Sequence, residues 1–342
     1  MNTIAINKGI RLEWLDALKG FGIILIMMVH TGMMPRWSIL FTAGYVSLFF
    51  VAAGFTFTPK GTIGEEVNKK WRRLITPYFF YGVIGVAVTC LVVALEGGEV
   101  SFFGRFVGLL YSRYSTAFEI ESGLSDIPML KAARISPMWF LTSLFTSFLA
   151  AIILIRVQNK KIQYFLVVMY IVMSMAMTFL PVLLPWSLDT AFVGAILIFW
   201  GTKRIHLLDK RWLFVLGAGI YVGLVFIEKT NNISVRQYGW HGFLSIIPYL
   251  LIGILETDLL ITMLKRYEGT FIIKLLAHIG KFSFVLMCVH ASVYTVLRAF
   301  GLHSSTWWGG VLFVIIALVV GYLVYYGGNK YVSREYKYII GL

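Results

Sequence analysis

Gly20-Phe-Gly-Ile-Ile-Leu-Ile-Met-Met-Val-His-Thr-Gly-Met-Met34 is the stretch that decides the fold class. Apart from His30 it holds no ionisable side chain. It follows a polar segment carrying Lys8, Arg11 and Lys19, and no small-residue cleavage site interrupts it. We read it as a retained first membrane helix rather than a signal peptide. Nine further apolar runs follow, at 39–58, 74–95, 137–155, 162–180, 187–201, 212–227, 242–263, 282–298 and 309–326. A spanning helix needs roughly 20 mostly apolar residues, so the shorter runs must extend into their flanks.

Composition agrees. Of 342 residues 59% are hydrophobic, enough for about ten spans. Charged residues make up 13%, about half of the ~25% usual in soluble domains. This balance excludes a soluble globular protein, a disordered chain and a nucleic-acid-binding domain. The expectation is an all-α integral membrane protein, a single domain over 1–342 built as a bundle of about ten transmembrane helices in the lipid bilayer. Cys90 and Cys288 each lie inside an apolar run, which argues against a structural disulfide. Six histidines without HExxH or CxxC spacing argue against a metal.

Lysine and arginine orient the bundle. If the N-terminus is cytoplasmic, segments 1–19, 59–73, 156–161, 202–211, 264–281 and 327–342 hold 22 of the 30 cations, and the other side holds 8. By the positive-inside rule both termini are then cytoplasmic, in a multi-pass protein of the inner (cytoplasmic) membrane. Much of the net charge of +14 is therefore topology. One extracytoplasmic connection is long, about 96–136. Within it Phe102-Phe-Gly-Arg-Phe-Val-Gly-Leu-Leu-Tyr111 is apolar but too short to span, which suits an interfacial or re-entrant segment.

Ionisable residues inside spans are expensive and so are functional candidates. Counted from Gly20, His30 is about 15 Å deep at 1.5 Å per residue, near the middle of a ~30 Å core. Lys19, eleven residues earlier, shares its face, and Asp16 joins the same stripe. A histidine that bonds to a neighbouring helix as structural glue is the plainer alternative. In Lys69-Lys-Trp-Arg-Arg-Leu-Ile-Thr-Pro-Tyr78 four cations, Lys69, Lys70, Arg72 and Arg73, stand at the cytosolic mouth of the third helix. Lipid-headgroup anchoring accounts for them equally well. Asp189, in Pro185-Trp-Ser-Leu-Asp189, suits either a helix start or a site group, and His290 is a second mid-span histidine. Glu256 and Asp258 suit pairing with Lys265 or Arg266, and His241 an interfacial role.

Taken in order, these motifs resemble the integral-membrane acyltransferase-3 family, which acetylates surface sugars. The matching stretches are Arg11 to Ile23 with His30, Ser47-Leu-Phe-Phe-Val-Ala-Ala-Gly54, and the basic loop. In that loop the family's Arg-x-x-Arg would fall on Lys70-x-x-Arg73, or on Lys69-x-x-Arg72 in the other register. Pro137-Met-Trp139-Phe-Leu141 and Ile279-Gly-Lys-Phe-Ser283 through His290 complete the set, and Pro185 to Asp189 looks like the sugar O-acetyltransferase branch related to fucose 4-O-acetylases.

The resemblance implies acetyl transfer from cytosolic acetyl-CoA to a hydroxyl of a surface or lipid-linked carbohydrate, with no metal. CoA is a polyanion, and Lys69, Lys70, Arg72, Arg73 and Lys19 suit its phosphates. A neutral His30 suits the general base, with Asp16 and Lys19 on its stripe. Trp139, Asp189 and His290 are the acceptor-side candidates. A transporter or flippase of a lipid-linked sugar is the rival reading, since it too places polar residues at mid-depth. The Asp16–Lys19–His30 stripe argues against a purely structural subunit.

Overall fold

The computed structural model describes residues 2–3, 11–35, 38–100, 102–112, 138–180, 184–228, 233, 241–304 and 306–342. Helix α1 (Glu13–Thr31) carries Glu13 and Asp16 in its first turn, where acidic side chains complement the helix dipole. It stops at Gly32, whose left-handed φ of 78° lets its N–H return to the carbonyl of Val29. α1 thus starts seven residues before the apolar run, and His30 falls in its last turn. The segment ahead of Gly20 is helical too, and there Arg11 and Lys19 pair with the buried Asp16.

The second run divides into α2 (Ile39–Thr42) and α3 (Ser47–Thr56). A Thr62–Glu65 capping box opens α4 (Ile63–Lys70), in which both end groups satisfy backbone N–H donors. A π turn at Trp71–Ile75 joins it to α5 (Thr76–Leu95). Pro77 accounts for that turn. It has no N–H to return to the carbonyl of Arg73, and Thr76 N–H instead reaches back five residues to Trp71. Then come α6 (Phe102–Tyr111), α7 (Trp139–Arg156), α8 (Lys160–Met177), a 3-10 turn (Pro185–Thr190), α9 (Ala191–Lys203) and α10 (Arg211–Glu228). The chain closes with α11 (Ile246–Arg266), α12 (Phe271–Lys281), α13 (Ser283–Ala299) and α14 (Trp307–Tyr331). A short ladder pairs Asn2–Thr3 with Ile205–His206.

Among the described residues eight helical segments are long and apolar enough to cross a bilayer, or nine if α12 and α13, bent by 74°, form one broken span. The protein is an all-α, multi-pass membrane protein. The run at 187–201, read as a span, instead forms part of the 3-10 turn and α9. That helix has 13 residues, about 20 Å at 1.5 Å per residue. It is buried between α3, α7 and α8 and does not need to face lipid. α7, α1 and the α2–α3 segment are the most enclosed spans, while α5, α8, α10 and α14 turn apolar side chains outward at the rim.

Helix crossings use missing side chains. A β-carbon built at Gly280 would overlap the carbonyl oxygen of Asp16, and one at Gly20 would overlap that of Leu276. Backbone contact of this kind, typical of membrane interfaces, locks α12 against α1. The segment 264–281, read as a cytosolic loop, therefore contains a packed helix.

The stretch 102–111 is helical and turns into the bundle. Leu109 is fully buried against Gly82, and its carbonyl accepts from Tyr78 Oη at 2.5 Å. The carbonyl of Leu110 accepts from Trp186 Nε1 at 2.8 Å. Residues 113–137 of the long connection lie outside the described set.

Two acidic residues differ from expectation. Glu256 accepts from the N–H of Gly44 at 2.5 Å and from Tyr221 Oη at 2.8 Å, not from Lys265 or Arg266. Asp258 accepts from the N–H groups of Leu207 and Leu208, each at 2.8 Å, and pairs with His206 Nδ1 at 2.7 Å. Their place along α11 points both carboxylates at buried backbone donors, which otherwise would be unsatisfied.

Candidate functional site

A cavity of about 250 Å³ opens between α1, α3, α7, the π turn, α12 and α13. Among the described residues five cationic side chains line it, Arg11, Lys19, Lys70, Arg73 and Lys281, against the single carboxylate of Asp16. Arg11 Nε donates to Asp16 Oδ2, and Lys19 Nζ lies 3.5 Å from Asp16 Oδ1. Asp16 thus orders two of the cations and leaves the cavity with a strong positive excess. Phe49, Phe140, Leu144, Phe148 and Met287 form the apolar wall.

The basic loop splits into two stripes. Lys70 and Arg73 face the cavity, with Lys70 Nζ 3.6 Å from the ring centroid of Phe148 and 4.5 Å from that of Phe57. Both rings hold the ammonium by cation–π attraction. Lys69 turns away to Glu66 at 3.0 Å, and Arg72 lies 4.2 Å over the ring of Tyr338. Residues three apart share a helix face and their neighbours do not. The register Lys70-x-x-Arg73 is therefore the one that lines the cavity, and Lys69 and Arg72 are not brought to it.

The two histidines come together although 260 residues separate them. Their ring centroids are 5.3 Å apart, edge to face. His30 Nδ1 donates to the carbonyl of Ile26 at 2.7 Å, and His290 Nδ1 to that of Leu286 at 2.6 Å. A carbonyl only accepts, so both rings carry the proton on Nδ1 and present Nε2 as a base. His290 is fully buried, and its Nε2 has no hydrogen-bond partner among the described residues. Tyr294 Oη donates to the carbonyl of Met27 at 3.2 Å and Arg298 to that of His30 at 3.3 Å, which fastens α13 to α1 beside the pair.

The pair does not line the cavity but lies further along two helices that do. Lys19 and His30 lie on one face of α1, about 16 Å apart at 1.5 Å per residue. Met287 lines the cavity, and His290 follows one helical turn later on α13. Two adjacent helices thus lead from the cations to the imidazoles.

Trp139 opens α7 and is buried, and the next two residues, Phe140 and Leu141, line the cavity while Trp139 does not. Asp189 is buried in the 3-10 turn on the opposite face of α7, where Thr190 meets Ser143 at 2.9 Å. The structure does not bring Asp189 to the cavity. His241 pairs with Glu228 at 3.1 Å. Among the described residues no group of three or more His, Cys, Asp or Glu is placed to hold a metal ion.

Arg11 and Lys281 were not singled out from the sequence as cavity groups. Arg11 signals itself only through Asp16, five residues on. Lys281 follows Gly280, whose contact with Asp16 brings the end of α12 to the cavity.

The acyltransferase-3 family model, described as an acyltransferase domain, matches residues 12–326. The chain therefore belongs to this family of membrane acyltransferases. Searches of curated proteins and of solved structures return no match.

Proposed function

We propose that the protein moves an acetyl group from acetyl-CoA, held at the basic cavity, to a hydroxyl of a cell-surface or lipid-linked carbohydrate, with His30 as general base. One observation carries the reading: a strongly cationic cavity and a pair of imidazoles share the same faces of α1 and α13. The phosphates of CoA meet Lys19, Lys70, Arg73, Arg11 and Lys281 at the cytosolic end by charge-assisted hydrogen bonds. The thin pantetheine arm runs along α1 for the ~16 Å that eleven helical residues cover.

At the far end the acceptor oxygen attacks the thioester carbonyl while His30 Nε2 takes the hydroxyl proton. The tetrahedral centre collapses, the carbon–sulfur bond breaks, and the leaving thiolate receives that proton. The Nδ1–H bond to Ile26 holds the tautomer that this step needs. His290, whose ring centroid is 5.3 Å from that of His30, accepts through Nε2 from the acceptor or from the protonated partner ring. Trp139 flanks the acceptor side by packing on a sugar face.

The test is purified protein with labelled acetyl-CoA and membrane glycans. Transfer of label that is lost in His30→Ala with acetyl-CoA binding intact supports the reading. Undiminished transfer in that variant removes His30 as base. A protein that neither binds acetyl-CoA nor labels any glycan points instead to a transporter.

A further inference from the structure

Arg105 is out of keeping with its surroundings. It stands in the apolar helix α6, between Phe102 and Tyr111, and its Nε is sealed from solvent without a hydrogen-bond partner among the described residues. Among those residues no ion pair reaches it, and no carboxylate lines the space it enters. Arg105 is half-buried, and a sealed donor left without a partner costs about 1–3 kcal/mol, so this cationic Nε points to an anion that belongs there.

That space is a pocket of about 80 Å³ between α5, α6 and α13. Gly82 and Gly85 form one wall, and Thr89, Ser292 and Thr295 bring hydroxyls. The two threonines spend their hydrogens on their own helices, Thr89 on Gly85 at 2.8 Å and Thr295 on Ala291 at 3.0 Å. Ser292 Oγ makes no hydrogen bond among the described residues and is free to donate. Arg105 and Ser292 together suit one tetrahedral or planar oxyanion.

Across the α5–α13 contact lies a second space, an almost wholly apolar cleft of about 610 Å³, with α5 and α14 as walls and α13 as floor. It extends from Gly328 and Ile340 to Leu297 and Ile316. The two spaces share Cys288 and Ser292, and a β-carbon on Gly85 would come within 3.5 Å of Ser292 Oγ. Gly85, Cys288 and Ser292 thus stand between a chain-sized apolar cleft and a cationic pocket of phosphate size. Neither His30 nor His290 lines either space, so this site is distinct from the proposed transfer site.

We propose that the cleft and the pocket form one binding site for an amphiphile with a phosphate head, its phosphate on Arg105 and Ser292 and its hydrocarbon chain in the α5–α13–α14 cleft. Two sources share that chemistry, a bilayer phospholipid and the phosphate of a lipid-linked carbohydrate. The inference does not rest on acyl transfer and is tested by binding alone.

The experiment titrates dodecyl phosphate into the full-length protein in a neutral maltoside detergent, with binding read by native mass spectrometry. Arg105→Gln weakens binding by about tenfold or more, as loss of a charge-assisted hydrogen bond requires, and Arg105→Lys retains most of it. Val293→Trp, which fills the cleft, weakens it as well. Equal binding to wild type and Arg105→Gln, both with unchanged thermal unfolding, overturns the proposal. So does dodecanol or inorganic phosphate that binds as tightly as dodecyl phosphate. Ser292→Leu gives an independent route should Arg105→Gln fail to fold, and unchanged binding there overturns the proposal too. Displacement of the probe by phosphatidylglycerol identifies a bilayer lipid, and displacement by a polyprenyl phosphate identifies a carrier lipid. Displacement by neither overturns it. Acetyl-CoA binding, measured in parallel, fails or survives independently of these results.

Discussion

His30 and His290 stand edge to face with their ring centroids 5.3 Å apart, each anchored through Nδ1 to the carbonyl four residues before it. The arrangement leaves Nε2 of each ring as the basic nitrogen. General-base catalysis contributes about 10²–10⁴-fold. His30→Ala is expected to lose acyl transfer on that scale while it keeps the dissociation constant for acetyl-CoA. His290→Gln, which removes the ring base but keeps a polar side chain, is expected to lose less. Single-turnover transfer and equilibrium binding of the donor check the pair.

The split of the basic loop predicts an asymmetry between two double variants. Lys70→Gln with Arg73→Gln is expected to weaken donor binding by about tenfold or more, since each charge-assisted hydrogen bond is worth about 1.5–3 kcal/mol. Lys69→Gln with Arg72→Gln is expected to change it by less than about threefold, because rim charges contribute little. Titration of acetyl-CoA against the purified variants decides between the registers, and equal losses would show that both stripes bind.

Screening offers a second view of the same cavity. The Debye length falls from about 30 Å at 0.01 M salt to about 3 Å at 1 M. Donor affinity in wild type is expected to drop steeply across that range. The Lys70/Arg73 variant is expected to show a shallower slope, measured in the same titration.

Pro77 predicts a register effect. Pro77→Ala restores an N–H that can reach the carbonyl of Arg73 and so favours a regular α turn over the π turn at Trp71–Ile75. Removal of one residue per turn rotates Lys70 by about 100° relative to α5. The variant is expected to gain thermal stability or hold it unchanged, and to lose donor affinity. Unaltered affinity would show that the π turn is not needed to aim Lys70.

The contact of Gly280 with Asp16 predicts a packing defect. Gly280→Ala drives a β-carbon into the carbonyl of Asp16 and forces α12 from α1, at a cost of about 1–3 kcal/mol for overpacking. Gly64→Ala, where nothing lies within 4 Å, is the neutral control. Thermal unfolding in detergent compares them.

The class of the protein was legible in the residue pattern by itself. Lengths of apolar sequence set helices across a bilayer because unpaired backbone groups cannot exist in hydrocarbon, and the stripe of Asp16, Lys19 and His30 follows from helical periodicity alone. So did both possible faces of the basic loop. Tertiary structure chose between them: Lys70 and Arg73 face the cavity because Phe57 and Phe148 cradle Lys70, while Glu66 and Tyr338 draw Lys69 and Arg72 away. Only the fold could pair His30 with His290, bring Lys281 to Asp16 through two glycines, and separate Asp189 from the cavity by the width of α7. Periodicity records which residues share a face of one helix. It carries no information about which other helix that face will meet, and this is set by the shapes that pack.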